Sequence, residues 1–268
     1  MLVAHRGGSK IAPENTMVAF RRAVEWWGAD MLELDVRLTR DGHVVVIHDE
    51  TLDRTTDGEG PVAARTLDEI RDLDAGYRFE GPDGGLSFRG TGVVVPTFEE
   101  VLAAFPDTRI NVESKESRAA APLVEVIRRH RAKHRVLVAA EVEGSRKGAR
   151  GYVGPWGASR YQVLWFWALH RLPGSGPYLP RADVFQVPEL WKGMRIVSQA
   201  FVRAAHRRNI PVQVWTVDDA ESMKRLLAWG VDGIQSDRPD VLARVLTEVT
   251  GRPPPPGPAD VPTPGASA

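Results

Sequence analysis

Four short blocks near the start of the chain carry residue types suited to proton and phosphate chemistry: His5-Arg6-Gly7, Pro13-Glu14-Asn15-Thr16, Glu33-Leu34-Asp35-Val36 and Val46-Ile47-His48-Asp49. Each lies at the edge of an apolar run. Imidazole takes or gives a proton near neutral pH, so His5, after Leu2-Val3-Ala4, and His48, after Val44 to Ile47, suit a base and an acid flanking one centre. Glu33 and Asp35 stand two apart, so on a strand both project to one face while Leu32, Leu34 and Val36 take the other. Glu113 ends a further run, Ile110-Asn111-Val112-Glu113-Ser114-Lys115. Carboxylates held close together repel unless positive charge stands between them. Three oxygen donors in a chain without cysteine suit one hard divalent cation, Mg²⁺ or Ca²⁺. Arg6 and Lys115 add positive charge that a metal alone would not require, which points to an anionic substrate such as a phosphate ester.

The elements that must position these groups follow from the apolar pattern. Strand candidates are Leu2–His5, Met31–Val36, Val44–His48, Arg109–Glu113, Val136–Ala139, Asp183–Val187, Val212–Val217 and Gly233–Ser236, all short and rich in β-branched residues. Helical patterns fall between most of them, at Thr16–Trp27, Phe98–Phe105, Ala119–Lys133, Ser198–Arg208, Ala220–Trp229 and Pro239–Val249. Thr66-Leu67-Asp68-Glu69 and Thr97-Phe98-Glu99-Glu100 read as capping boxes. Alternating strands and helices argue for a parallel sheet. Eight strands in about 250 residues favour an α/β fold of the (β/α)8 TIM-barrel type over an open doubly wound sheet.

Two places break the alternation. Only RLTRDGH joins Val36 to Val44, too few residues for a crossover, and Asp41-Gly42 is a turn signal. A two-residue hairpin there would set Asp35 opposite His48; a parallel pair would still leave both at strand ends. Residues 54–96 are rich in Gly and Asp (DGEG, GPDGG, RGTG) and read, from about residue 50, as a small subdomain inserted over one end of the barrel. Residues 1–250 are thus assigned to the barrel with its insertion. The run GRPPPPGPADVPTPGASA, residues 251–268, reads as a proline-rich disordered tail.

Composition excludes several classes. Charge is balanced at 35 basic and 35 acidic residues, which favours neither nucleic acid nor an anionic membrane as principal partner. With no cysteine there is no disulfide framework, thiolate nucleophile or thiolate-bound zinc. Nothing before His5 reads as an export signal, and the longest aromatic-apolar stretch, Tyr161 to Leu169, is too short to span a bilayer. The reading is a soluble, cytoplasmic protein of undetermined oligomeric state. Asn15 opens a helix, where a polar residue serves either as a cap or as a substrate contact. Trp165, Phe166 and Trp167 read as core.

The chain resembles the glycerophosphodiester phosphodiesterases. The likeness rests on His5-Arg6-Gly7, Pro13-Glu14-Asn15-Thr16, Glu33-Leu34-Asp35-Val36, Thr39-Arg40-Asp41-Gly42, His48-Asp49 and Leu52-Asp53-Arg54-Thr55-Thr56. It continues through Pro96 to Leu102, Asn111 to Lys115, Gln186-Val187-Pro188, Val214 to Val217 and Gly230 to Ile234, so it spans residues 2–243. Ser236 and Ser114 stand where the family more often has Thr and an aliphatic residue, and Ala139-Ala140-Glu141 lacks the Ser-Phe pair of many members. The resemblance implies a barrel with an inserted subdomain near its catalytic face. It implies a divalent cation on Glu33, Asp35 and Glu113, His5 and His48 as general base and acid, Arg6 and Lys115 on phosphate oxygens, and Trp215 against the substrate. The implied reaction is hydrolysis of a glycerophosphodiester to glycerol 3-phosphate and an alcohol. Alternatives are a lysophospholipase D, which would use the aromatic residues as an apolar wall, and a catalytically silent barrel that binds phosphate esters.

Overall fold

Runs of Val, Ile and Leu form the strands, because branched side chains fit a pleat that is covered on both faces. The computed structural model describes residues 1–139, 147–170 and 178–258. In chain order the strands are β1 (Leu2–Ala4), β2 (Met31–Leu38), β3 (Val44–Val46), β4 (Arg109–Ser114), β5 (Val136–Ala139), β6 (Phe185–Pro188), β7 (Leu190–Trp191), β8 (Met194–Arg195), β9 (Val212–Trp215) and β10 (Gly233–Ser236). Seven of them pair side by side in parallel, in the order β5-β4-β2-β1-β10-β9-β6. Parallel bridges Val138↔Trp156 and Gly157↔Val184 close the gap between β5 and β6. The result is a ring of eight parallel members, the barrel that the alternating pattern predicts.

The membership of that ring differs from expectation at one place. Val44–His48 is not a barrel strand: β3 lies antiparallel on β2, with Val36 opposite Val46 and Leu38 opposite Val44. The missing member is the extended pair Trp156-Gly157, whose Gly154-Pro155-Trp156-Gly157 context carries no strand signal. The hairpin register also differs by one residue. Arg40-Asp41-Gly42 forms a three-residue loop, with Gly42 at φ +88° and the Thr39 amide donating to His43 O at 3.0 Å. Asp35 therefore faces Ile47, whose amide donates to Asp35 O at 2.9 Å, and His48 lies one step beyond.

Eight helices accompany the strands among the described residues: α1 (Met17–Arg21), α2 (Leu67–Arg71), α3 (Phe98–Ala104), α4 (Ser117–Arg129), α5 (Arg160–Leu169), α6 (Gln199–His206), α7 (Ala220–Ala228) and α8 (Pro239–Thr250). Residues Arg22–Trp26 extend α1 by a π-helical turn. Both predicted capping boxes form, Thr66 with Glu69 and Thr97 with Glu100. Helix α5 carries no 3.6-residue contrast in its sequence, since apolar residues fall all round it, and it begins with a capping box of Ser159 and Gln162. None of the described helices is long and apolar enough to cross a membrane.

Strand β3 explains how the 50–96 segment is held. Val44 and Val46 face the barrel core, while Val45 and Ile47 face a second cluster that includes Leu52, Val62, Ile70 and Val95. Alternation along one strand thus serves two apolar cores. Of the proline-rich tail, residues 251–258 have neither helix nor strand but are tied back: Arg252 donates to Asp30 Oδ2 at 2.8 Å and the Gly257 amide to Trp26 O at 2.9 Å. Residues 259–268 lie outside the described residues.

Candidate active site

Parallel barrel strands deliver their C-terminal ends to one mouth, so residues at those ends meet whatever their distance in sequence. A cavity of about 280 Å³ occupies that mouth, and His5, Arg6, Glu33, Asp35, His48, Glu113, Lys115 and Trp215 all line it. Eight of the nine candidate residues therefore come together. The ninth, Asn15, does not line this cavity. It is buried behind Asp35 at φ +58°, donating from Nδ2 to Asp35 Oδ2 at 3.1 Å and accepting the Asp35 amide at 3.4 Å. Thr16 caps α1, so Asn15 is not the cap either.

The two-residue spacing of Glu33 and Asp35 has the predicted consequence. Leu32, Leu34 and Val36 are fully buried against the helices, and both acids face the cavity with only 4% and 2% of their surface exposed. Strand pairing sets Asp35 beside Glu113 and Glu33 beside Asn111. Burial, and then the charge of Asp35, push the Glu33 carboxyl up to about 7. The Arg6 amide donates to Glu33 Oε2 at 2.9 Å. Arg6 Nε stands 3.2 Å from Asp35 Oδ2, and Lys115 Nζ lies 3.5 Å from Asp35 Oδ1 and 3.1 Å from Glu113 Oε2.

Whether these acids fit a metal follows from their chemistry and arrangement. Three carboxylates on neighbouring strands, two of them desolvated, form a hard-oxygen set of the kind that Mg²⁺ or Ca²⁺ takes. As they stand, no group of three His, Cys, Asp or Glu among the described residues is disposed as a ready-made cage, and Arg6 and Lys115 stand on Asp35 and Glu113. The donor types fit a hard cation.

Each histidine is oriented by its own carboxylate. His5 Nδ1 lies 2.6 Å from Asp237 Oδ1, and His48 Nδ1 lies 2.7 Å from Asp49 Oδ1. Both contacts engage Nδ1 and leave Nε2 of each ring away from that bond. Burial works to lower His5, but Glu33 and Asp237 outweigh it and leave the imidazole at about 9. At His48 burial prevails over the pull of Asp35 and Asp49, and the ring lies below its ordinary value.

Sequence reasoning missed the residues that hold these partners. Arg54 forks onto Asp49, with Nε 2.5 Å from Oδ2, and onto Glu14, with Nη1 2.7 Å from Oε2 and Nη2 2.8 Å from Oε1. Glu14 in turn accepts from Arg6 Nη1 at 3.0 Å. A chain of charges thus runs from His48 through Asp49, Arg54 and Glu14 to Arg6. Its members stand in the Pro13-Glu14-Asn15-Thr16, His48-Asp49 and Asp53-Arg54 blocks, and that co-occurrence was the available signal. The opposite wall is apolar: Val163, Leu164, Trp167, Val187, Trp191 and Ile196. The expected aromatic core cluster is accordingly divided, since Phe166 is buried, Trp167 lines the cavity and Trp165 faces solvent.

The barrel and its mouth place the chain in the class of TIM-barrel enzymes, which carry their sites at the C-terminal ends of the strands. The glycerophosphoryl diester phosphodiesterase family model matches residues 5–153 and 175–241. A glycerophosphodiester phosphodiesterase of Caldanaerobacter subterraneus subsp. tengcongensis is 36% identical over 92% of this chain and 97% of its own length. The probable glycerophosphodiester phosphodiesterase 2 of Mycobacterium tuberculosis is 34% identical, covering 91% of this chain and 89% of that one. Among solved structures, a glycerophosphodiester phosphodiesterase from Agrobacterium tumefaciens superposes with a TM-score of 0.73 at 29% identity, covering 90% of this chain and 98% of that chain. The chain belongs to the glycerophosphoryl diester phosphodiesterase family.

Proposed function

We propose that this chain hydrolyses glycerophosphodiesters to sn-glycerol 3-phosphate and an alcohol, with His5 and His48 as the acid–base pair. The observation that carries the reading is the pairing of two carboxylate-oriented imidazoles, His5 on Asp237 and His48 on Asp49, at one cavity that also holds Arg6 and Lys115. One imidazole accepts the proton of the attacking hydroxyl, from water or the neighbouring glycerol oxygen. The other delivers a proton to the departing alkoxide. Arg6 and Lys115 hold the non-bridging phosphate oxygens and offset the charge that grows on them. Trp215 gives the substrate a flat apolar contact. Asn15 acts one step back, fixing Asp35 from both ends of its carboxamide.

Glu33, Asp35 and Glu113 would hold one divalent cation, Mg²⁺ or Ca²⁺. That ion would supply Lewis-acid stabilisation of a phosphoryl oxygen. The relatives named above support this substrate class. So does an Oleispira antarctica phosphodiesterase solved with the product sn-glycerol-3-phosphate, which shares this fold at 24% identity with a TM-score of 0.72. Nothing in those names favours the lysophospholipase D or silent-barrel alternatives.

The test is release of sn-glycerol 3-phosphate from glycerophosphocholine and glycerophosphoethanolamine with Mg²⁺, Ca²⁺ or chelator, alongside His5→Ala and His48→Ala. Turnover that needs the metal and is lost in both variants supports the reading. Turnover that survives both substitutions removes it. A p-nitrophenyl ester, whose leaving group needs no proton, sorts the pair: the variant of the acid retains far more activity on it than the variant of the base.

A further inference from the structure

Helix α5 presents an apolar stripe to solvent. Tyr161, Leu164 and Trp165 are 66%, 44% and 58% exposed, at the i, i+3, i+4 spacing of one helix face. Buried Phe166 anchors the other side of the helix. The β7–β8 hairpin stands beside it: the Arg160 guanidinium lies 4.8 Å over the Trp191 ring, and Trp167 Nε1 donates to Arg195 O at 3.2 Å. Met194, opposite Trp191 in the hairpin and so on its face, is 42% exposed. Leu164, Trp167 and Trp191 also line the cavity, so the stripe continues into the mouth of the site.

Charge in the segment that carries the stripe is of one sign, and Glu189, beside the hairpin, is held by Arg195 and Arg225. From residue 144 to residue 182 the sequence has no Asp or Glu, yet it has six Arg and Lys, in a chain whose charges balance overall. Lys192, at the hairpin tip, brings its ammonium 5.2 Å from Trp191. Exposed Trp, Tyr and Leu among basic residues are the composition of a surface that enters the lipid headgroup region. A twofold contact between two copies would instead set this basic segment against itself with no acid inside it to pair.

We propose that the exposed face of α5, with the β7–β8 hairpin, docks on an anionic phospholipid bilayer and holds the cavity mouth against the headgroups. This inference is independent of the hydrolysis reading, since docking needs no turnover. The test is sedimentation of the full chain with vesicles of phosphatidylcholine alone or mixed with phosphatidylglycerol, with tryptophan emission read in parallel. Binding to the anionic vesicles, weak on neutral ones and released by salt, is expected. The double variant Tyr161→Ser/Trp165→Ser should lower the partition about tenfold by withdrawing two aromatic side chains. Lys192→Gln alone should lower it about fivefold through one lost interfacial charge. None of these residues lines the cavity, so hydrolysis of soluble glycerophosphocholine should be unchanged in both. The proposal falls if the chain ignores anionic vesicles or if the variants bind like the parent. It also falls if the parent forms a concentration-dependent dimer that the double variant abolishes.

Discussion

Arg54 is a surface residue on which the catalytic pair depends in the proposed mechanism. Its side chain is 47% exposed, yet its fork joins Asp49, which holds His48, to Glu14, which holds Arg6. A hydrogen bond to a charged partner contributes about 1.5–3 kcal/mol. With half the guanidinium in water we discount this to about 1 kcal/mol for the hold on Asp49. If that hold is spent on keeping His48 in line, Arg54→Ala should cut kcat about fivefold, with little change in KM. Arg54→Lys should restore little, because a point charge cannot span two carboxylates. The decisive assay is a double-mutant cycle on glycerophosphocholine hydrolysis. In the Asp49→Asn background, where the carboxylate hold on His48 is already gone, removing Arg54 should cost little further, since its effect on kcat passes chiefly through Asp49 to His48. An equal loss in both backgrounds would refute the positioning argument and make Arg54 an independent contact.

The same fork makes a pH statement: Arg54 first, and then His48, hold the Asp49 carboxyl well below its ordinary 3.8. A depressed carboxyl stabilises the fold above its unfolded value and loses that contribution as pH falls, so the stability gap between the parent and Arg54→Ala should close in acid, read by urea unfolding at stepped pH. Asp237→Asn should lower kcat about a hundredfold or more, because the amide no longer fixes the His5 ring in one tautomer, while thermal unfolding shows the fold intact. Leu34→Ala, which empties a fully buried position between the two site acids, should cost about 2–5 kcal/mol in urea unfolding. Removing residues 252–268 should lower the melting temperature measurably, since Arg252 and Gly257 tie the chain back to residues 26–30.

Much of the site was legible because barrel chemistry is carried by strand ends, and strand ends are marked by where apolar runs stop. His5, Glu33, Asp35, His48, Glu113 and Lys115 each follow such a run or stand within one, and period-2 geometry alone puts Glu33 and Asp35 on one face. The strands that read well were those with uninterrupted branched residues. Trp156-Gly157 did not, because two extended residues between Pro and Ala leave no pattern to count, and their place in the ring is set by their neighbours β5 and β6. Helix α5 escaped notice for the opposite reason. Apolar side chains on every face erase the contrast that marks a helix, and only the fold divides them between core, cavity and solvent.

What the sequence by itself determined is the set of chemical groups and the strands that carry them, since residue type and local period are properties of the chain. Tertiary structure alone decided which groups are partners. Asp237 reaches His5 across 232 positions, and Arg54 reaches Glu14 across 40, because closing the barrel brings β10 beside β1 and folds the segment after β3 over the mouth. Asn15 shows the division within one residue. Its place before a helix suggested a cap, but a left-handed backbone turns its carboxamide onto Asp35, a contact that exists only once β2 lies behind it. Such contacts depend on ring closure, a long-range event with no local signature.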